Sequence, residues 1–210
     1  MKKIARKKHL EMRLQSIPSH PNPKVGLEQY TTPSVIASDL IWNAYSLGDV
    51  ENKDVVDLGC GTGIFAIGSA LMGANSSIGV DVDDDSINLA NGVKDKLDLP
   101  NLNFIASDID DFNESMNVDT VFQNPPFGSQ KNADSGQDLK FVQKAIGLNC
   151  EVIYSFHMQS TEEFLIKYYD DNGLEITHIF RYEFPIPKIY DFHTKEKQNV
   201  DVIVIRAILK

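Results

Sequence analysis

Residues 57–63 read Asp57-Leu58-Gly59-Cys60-Gly61-Thr62-Gly63 and directly follow the apolar pair Val55-Val56. Three glycines at alternate positions allow the backbone to turn sharply and to lie against a ligand with no Cβ in the way. In doubly wound sheets, such a turn lies at the crevice where nucleotides bind. The GxGxG spacing differs from the GxGxxG of a pyrophosphate site. The turn therefore predicts a nucleotide-type cleft, with Asp57 and Gly61 among its candidate contacts.

Strands and helices alternate on either side of this turn. Short apolar runs predict strands at 55–58, 77–80, 102–105, 118–122, 152–156, 174–179 and 200–209, with helices near 63–74, 84–98, 137–148 and 160–170. Alternating elements indicate a parallel sheet with helices on both faces. No clear helix separates the last two strands, so a hairpin return is expected. The pattern predicts an α/β fold whose seven-stranded, mostly parallel sheet has an antiparallel last strand.

The N-terminal segment precedes this core. Residues 2–16 predict an amphipathic helix with Ile4, Leu10 and Leu14 as apolar contacts, and the prolines within 18–23 end it. A second helix is expected over 33–46. The length favours a single domain over residues 1–210, with residues 1–28 as a basic N-terminal helix or arm.

The net charge of −10 is unevenly distributed. Residues 1–24 carry seven lysines and arginines against Glu11 alone, a net charge of +6 that leaves −16 for the other residues. A basic arm on an acidic body can track a phosphate backbone. A solvated helix face is the alternative interpretation.

The composition, with 42% hydrophobic and 24% charged residues, is ordinary for a globular protein. No run reaches membrane-spanning length and no secretory signal is recognisable, so we expect a cytoplasmic protein without a membrane partner. Cys60 and Cys150 form no CxxC pair, and the five histidines lack metal-ligand spacing. We expect neither a structural metal nor a disulfide.

Two acids follow predicted strands beyond the glycine turn. Asp81 ends the strand at 77–80, where a carboxylate can accept hydrogen bonds from the ribose hydroxyls of a nucleoside; helix capping is its alternative role. The acids at 83–85 are expected to cap the next helix. Asp108 follows the strand at 102–105 and could accept from an adenine amine, or be an ordinary loop carboxylate.

The tetrapeptide Asn124-Pro125-Pro126-Phe127 follows the fourth predicted strand. Consecutive prolines make the turn rigid, so the Pro125 carbonyl and the Asn124 side-chain oxygen can converge as two acceptors. Two acceptors suit an amino group whose lone pair is aimed at an electrophile, and Phe127 supplies a surface on which a base can stack. A turn plugged by an aromatic residue is the alternative interpretation.

Together, these features resemble the class I S-adenosylmethionine methyltransferases that methylate amino groups of adenine N6, cytosine N4, guanine N2 or glutamine. Four further segments, 26–33, 152–157, 181–185 and 190–195, distinguish between these substrates better than the tetrapeptide does. They resemble the methyltransferase-like family that installs N6-methyladenosine in small-subunit ribosomal RNA. The resemblance covers about residues 10–210, and it departs at Met158, where a basic residue would be expected after His157. His157 itself is either a packing residue or a contact.

The resemblance implies a Rossmann-like fold, S-adenosylmethionine as cofactor and RNA as substrate, with residues 124–127 holding the target adenine. It also implies, in some relatives, a small zinc-binding activator protein that pairs with a sheet edge. The cofactor contacts that it implies are Gln29, Thr32, Gly59, Thr62, Ile64, Asp81, Asp108 and Ile109.

Three other functions fit parts of the pattern. A guanine-N2 RNA methyltransferase or a protein glutamine methyltransferase would share the two acceptors. A nicotinamide or flavin oxidoreductase would use a similar sheet, but the GxGxG spacing counts against it. A non-catalytic scaffold could bind S-adenosylmethionine without transferring its methyl group.

Overall fold

The computed structural model describes residues 4–21, 23–24, 29–113, 117–126, 136–187 and 197–210. Its helices are α1 (Lys7–Leu14), α2 (Ser34–Ser46), α3 (Ile64–Leu71), α4 (Asp84–Leu97), α5 (Gln137–Gly147) and α6 (Glu162–Asp171). Its strands are β1 (Asp54–Leu58), β2 (Ser76–Asp81), β3 (Leu102–Ala106), β4 (Thr120–Gln123), β5 (Val152–Met158), β6 (Leu174–Pro187) and β7 (Lys197–Leu209). Among these helices, none combines the length and apolar character needed to cross a membrane.

The seven strands form one sheet in the order β3-β2-β1-β4-β5-β7-β6. The pairs from β3 to β5 are all parallel, whereas β7 runs antiparallel to both β5 and β6. The structure therefore confirms the predicted mostly parallel sheet with an antiparallel last strand. The last strand inserts between β5 and β6, so β6 becomes an edge strand.

Two apolar clusters cover the two faces of the sheet. One contains Leu10 of α1, Leu40 of α2 and Ile67 of α3, and the other contains Val142 of α5 and Leu165 of α6. All five of these side chains are fully buried. The helices on both faces leave the carboxyl ends of the parallel strands free to form a site, as is typical of open α/β sheets.

Helix α1 begins later than the sequence predicted. Arg6 is extended, with φ −148° and ψ 139°, and the helix begins at Lys7 rather than at residue 2. It also ends earlier than predicted, since Leu14 is its last residue. Ile4 lies outside the helix yet still packs against the core, together with Leu10 and Leu14. The predicted apolar contacts are thus present, although the helix is shorter.

Strands β6 and β7 extend further than predicted. Pro187 pairs with Lys197, whereas the prediction ended the sixth strand at residue 179. An edge strand tolerates proline where its nitrogen need not donate to the ladder, which explains why the prolines at 185 and 187 do not end it. Val202 pairs with both Met158, the last residue of β5, and Tyr182. Residues 183–187 therefore project beyond the carboxyl edge of the parallel strands.

Candidate functional site

The glycine turn after β1 has the conformation that its sequence predicts. Gly59, Gly61 and Gly63 have φ values of 68°, 52° and 87°, in the left-handed region that favours glycine. A Cβ at Gly59 would lie 2.9 Å from the Phe141 ring, and one at Gly63 would lie 2.6 Å from the Phe104 ring. A Cβ at Gly61 would meet nothing within 4 Å. The turn therefore packs tightly at Gly59 and Gly63, whereas at Gly61 its backbone borders open space.

A cleft of about 640 Å³ opens at this turn, along the carboxyl ends of β1, β2 and β4. Its volume lies within the usual range for cofactor and small-molecule sites. Twelve of the fourteen predicted site residues line it: Gln29, Thr32, Asp57, Gly59, Gly61, Thr62, Ile64, Asp81, Asp108, Ile109, Asn124 and Pro126. Segments far apart in the chain thus meet at one cavity. Pro125 is buried and is not among the lining residues, and Phe127 lies outside the described residues.

Asp81 is held rigidly at the end of β2. Its Oδ2 accepts from the Gly61 nitrogen at 2.7 Å and its Oδ1 accepts from the Asp83 nitrogen at 2.9 Å. Burial raises the pKa of Asp81 above its ordinary value, although these backbone hydrogen bonds oppose the shift. Each carboxylate oxygen can accept a further bond, so Asp81 can still receive two hydroxyl donors.

Asp57 is the most deeply buried acid of the cleft, with 1% of its surface exposed. Its Oδ2 accepts from the Ala66 nitrogen at 3.0 Å, whereas no described residue forms a hydrogen bond with its buried Oδ1. Burial raises the pKa of Asp57 to about 7. A cationic or hydrogen-bond-donating ligand would satisfy this oxygen and favour the ionised carboxylate.

Asp83 connects the N-terminal segment to α4 through side-chain hydrogen bonds. It caps the helix by accepting from the Ser86 nitrogen, as predicted, and its side chain also bonds to Lys24 Nζ and, at 2.9 Å, to Gln29 Nε2. His20 Nε2 lies 3.2 Å from the same carboxylate. Burial alone would raise the pKa of Asp83, but the hydrogen bonds from Lys24, Gln29 and Ser86 hold it well below its usual range. Gln29 therefore anchors the cleft wall, and its contact with a cofactor stays a prediction.

Asp108 and Ile109, which follow β3, also line the cleft. Asp108 is exposed and accepts from the Asp110 nitrogen at 2.9 Å, whereas Ile109 is buried. Lys140 of α5 reaches across to Asp110, with Nζ and Oδ2 2.7 Å apart. An acceptor beside an apolar side chain suits a purine ring that carries an amino group.

Asn124 directly follows β4 and is half-buried. Its Nδ2 donates to Thr32 Oγ1 at 3.0 Å. Its Oδ1 is buried, and no described residue forms a hydrogen bond with it. An unsatisfied buried acceptor is costly, so its presence in a cleft wall indicates that a ligand supplies the donor.

Ten cleft residues were not among the predicted site residues, namely His20, Tyr30, Thr31, Cys60, Phe65, Val82, Ser86, Gln137, Lys140 and Phe141. Val82 is 53% exposed and directly follows Asp81, so its position after the strand-end acid could have identified it. Lys140 and Phe141 lie on a helix remote from the glycine turn in sequence. No local pattern marks them.

His157 is a core residue and does not line the cleft. It is fully buried, with Nδ1 2.8 Å from Asp138 Oδ2 and Nε2 3.0 Å from the Tyr169 hydroxyl. Of the two roles left open by the sequence, packing is the one observed. The buried hydrogen bonds connect β5 to α5 and α6.

The family of the chain follows from a comparison with family models. Residues 49–177, which contain the glycine turn, Asp81, Asp108 and Asn124, match the model described as "Methyltransferase domain". The chain belongs to this methyltransferase domain family. The predicted fold class is thereby confirmed, and so is the prediction that the chain is a methyltransferase.

Individual relatives align with this methyltransferase over nearly its whole length. An uncharacterized protein of Methanocaldococcus jannaschii is 42% identical, over 97% of this chain and 94% of its own length. The rRNA N(6)-adenosine-methyltransferase METTL5 of Danio rerio is 34% identical, over 95% of this chain and 97% of its own. The crystal structure of a proposed RNA methyltransferase from Pyrococcus horikoshii superposes with a TM-score of 0.87 at 36% identity, covering 98% of both chains.

S-adenosylmethionine is the cofactor of this methyltransferase fold, and the cleft residues fit it. The cofactor combines a cationic amino-acid part, a ribose and an adenine. The cleft offers the buried Oδ1 of Asp57, which no described residue satisfies, the fixed carboxylate of Asp81 and the acceptor Asp108 beside Ile109. Gly61 also lines the cleft, and it has no side chain that would occupy the space beside its backbone.

Proposed function

We propose that this methyltransferase transfers a methyl group from S-adenosylmethionine to the N6 amine of an adenine in RNA, with small-subunit ribosomal RNA as the substrate. The observation that carries the proposal is the buried Asn124 Oδ1, an acceptor in the cleft wall that no described residue satisfies. Such an acceptor fits an amino group. The name of the zebrafish relative supports adenosine of rRNA as the source of that group.

The chain's residues contribute mainly binding and orientation. An adenine must leave its stack to reach an enclosed cleft, so a looped or flipped-out base is the substrate. Asn124 Oδ1 accepts from the N6 hydrogen and thereby aims the nitrogen lone pair. The Pro125 carbonyl is the proposed second acceptor, and Phe127 is the proposed stacking surface. Bound S-adenosylmethionine supplies an electrophilic methyl group on a positively charged sulfur.

No strong general base is required in this mechanism, because the proton leaves after the nitrogen has become positive. Catalysis rests on positioning and on fixed hydrogen-bond acceptors. The proposed cofactor contacts are ten of the residues that line the cleft: Gln29, Thr32, Asp57, Gly59, Gly61, Thr62, Ile64, Asp81, Asp108 and Ile109.

Nucleoside analysis tests the substrate directly. Ribosomal RNA and ribosomal protein are incubated separately with the protein and labelled S-adenosylmethionine, then digested and separated by mass. We expect N6-methyladenosine from RNA alone. Labelled N2-methylguanosine or methylglutamine would assign the site to one of the alternative substrates, and cofactor binding without any labelled product would indicate a scaffold.

The N-terminal helix provides positive charge for an RNA partner. Leu10 of α1 is fully buried, whereas Arg6, Lys8 and Arg13 are exposed. Lys7 instead forms an ion pair with Asp39 of α2 at 2.6 Å. Three cations of this segment thus face solvent on an otherwise acidic protein, and we propose that they contact RNA phosphates.

Reversing these three charges (Arg6→Glu, Lys8→Glu and Arg13→Glu together) should weaken RNA binding. The slope of log K against log salt should become shallower by about 0.7 for each phosphate of single-stranded RNA that the protein no longer neutralises. Fluorescence titrations at several salt concentrations measure both quantities. Lys96→Glu with Lys167→Glu, at two exposed lysines on α4 and α6, is the control. Equal slopes for the two variants would show that the charges of Arg6, Lys8 and Arg13 are merely solvated.

The resemblance also implies a small zinc-binding activator protein, which we retain as a proposal. Such a partner would pair with a sheet edge, and β3 and β6 are the edge strands here. Phe104 and Ile105 of β3 are only partly buried, which leaves apolar surface at that edge.

A further inference from the structure

We infer that Thr32 is a positioning residue that orients the Asn124 side chain so that its oxygen, and not its nitrogen, faces the target amine. The inference rests on the proposed amine-holding role of Asn124. It adds a second role to a residue otherwise expected only to contact the cofactor. The two residues are 92 positions apart in the sequence, and their contact exists only in the folded chain.

An asparagine side chain can present either of two chemically opposite ends. Its oxygen accepts hydrogen bonds, whereas its nitrogen carries two hydrogens and only donates. With the nitrogen facing the cleft, the donors of Asn124 would meet the donors of an incoming amino group. Amine binding at this position therefore requires something that fixes which end of the amide points inward.

Thr32 fixes the orientation of the Asn124 amide. Its Oγ1 accepts from Asn124 Nδ2 at 3.0 Å, which occupies the amide nitrogen and leaves the buried Oδ1 as the end without a described partner. Thr32 is itself only 5% exposed, so water has little access with which to replace its hydroxyl.

Both partners are attached to rigid backbone. Thr32 precedes Pro33, whose φ is −58° and whose carbonyl accepts from the nitrogens of Ile36 and Ala37 at 3.0 and 2.9 Å. Asn124 follows Gln123, which is paired in the sheet with β1 on one side and β5 on the other, and it precedes Pro125. With both backbones held, a single hydrogen bond determines the orientation of the amide.

The contact itself can be tested without RNA. The side-chain NH2 signals of Asn124 in a nitrogen-15 NMR spectrum are assigned by their disappearance in Asn124→Ala. We expect one of the two hydrogens to exchange slowly with solvent in the wild type and in Thr32→Ser, and to exchange rapidly in Thr32→Val. Valine has nearly the shape of threonine but cannot accept a hydrogen bond. Rapid exchange in the wild type would overturn the inference, whatever the substrate is.

The consequence for catalysis is tested with the same variants. Thr32→Val should lower kcat by about tenfold to 100-fold, because a reacting group that is misplaced slightly loses this much rate. Because Thr32 is also a proposed cofactor contact, the Kd for S-adenosylmethionine is measured by calorimetry and kcat is measured at saturating cofactor. The fall in kcat should persist when the cofactor site is full, and Thr32→Ser should recover most of the lost kcat. An unchanged kcat in Thr32→Val, or a rise in Kd that accounts for the whole loss, would contradict the positioning role. Failure of the wild type to form N6-methyladenosine would instead contradict the proposed function, and the NMR result would still decide the contact.

Discussion

Replacing Asn124 with alanine is expected to lower kcat by about 10²–10³-fold, the effect typical of losing one preorganised hydrogen-bonding group in an active site. The variant loses the buried Oδ1 that accepts from the target amine, and it also leaves Thr32 Oγ1 without its donor. Transfer of a tritiated methyl group to RNA at saturating substrate measures kcat.

Cofactor binding separates this effect from a general loss of structure. Asn124 is not itself one of the proposed S-adenosylmethionine contacts, so the Kd of Asn124→Ala should stay close to that of the wild type. Asn199→Ala, at an exposed asparagine of β7, controls for the substitution itself. Full turnover by Asn124→Ala would end the assignment of this residue as the amine acceptor.

The largest effect on stability is expected from Arg206→Ala. Arg206 of β7 forms hydrogen bonds to both oxygens of Asp49, with Nε–Oδ2 2.8 Å and Nη2–Oδ1 3.0 Å, and a third to Thr177 Oγ1 at 2.6 Å. Asp49 is 5% exposed and also accepts from the Tyr154 hydroxyl at 2.5 Å. Burial, followed by the neighbouring Asp49, raises the pKa of Tyr154, so this tyrosine stays neutral and cannot replace the cation.

Removing the guanidinium leaves a buried carboxylate without its counter-ion. Breaking a buried pair in this way costs about 3–5 kcal/mol of unfolding free energy, a large part of the roughly 5–15 kcal/mol that is typical of a domain. Urea denaturation followed by circular dichroism measures the change.

An exposed ion pair provides the matched control for Arg206→Ala. Arg181 Nη2 lies 2.6 Å from Glu162 Oε1, but the Arg181 side chain is 52% exposed. Arg181→Ala should therefore change the unfolding free energy by about 1 kcal/mol or less. Equal losses in the two variants would show that burial of Asp49 does not govern the strength of its pair.

The glycine turn and the order of elements were predictable because the signals are local. The left-handed φ values of Gly59, Gly61 and Gly63 are required by a turn that only glycine adopts at low cost. Strand and helix periodicities are likewise set by neighbours within a few residues. Where local signals conflicted with the environment, the prediction was wrong. The short apolar run predicted that the sixth strand ended at residue 179, but β6 continues to Pro187 because a sheet edge tolerates proline.

The sequence by itself determined the fold class, the strand-end positions of the acids and the rigid asparagine-proline turn, since backbone constraints and apolar spacing act over short stretches of chain. Only the tertiary structure decided that β7 inserts between β5 and β6, that Thr32 meets Asn124 and that Arg206 meets Asp49. The last two contacts join residues 92 and 157 positions apart. Their geometry depends on how whole helices and strands pack, and no pattern of neighbouring residues encodes which distant polar groups will be buried together.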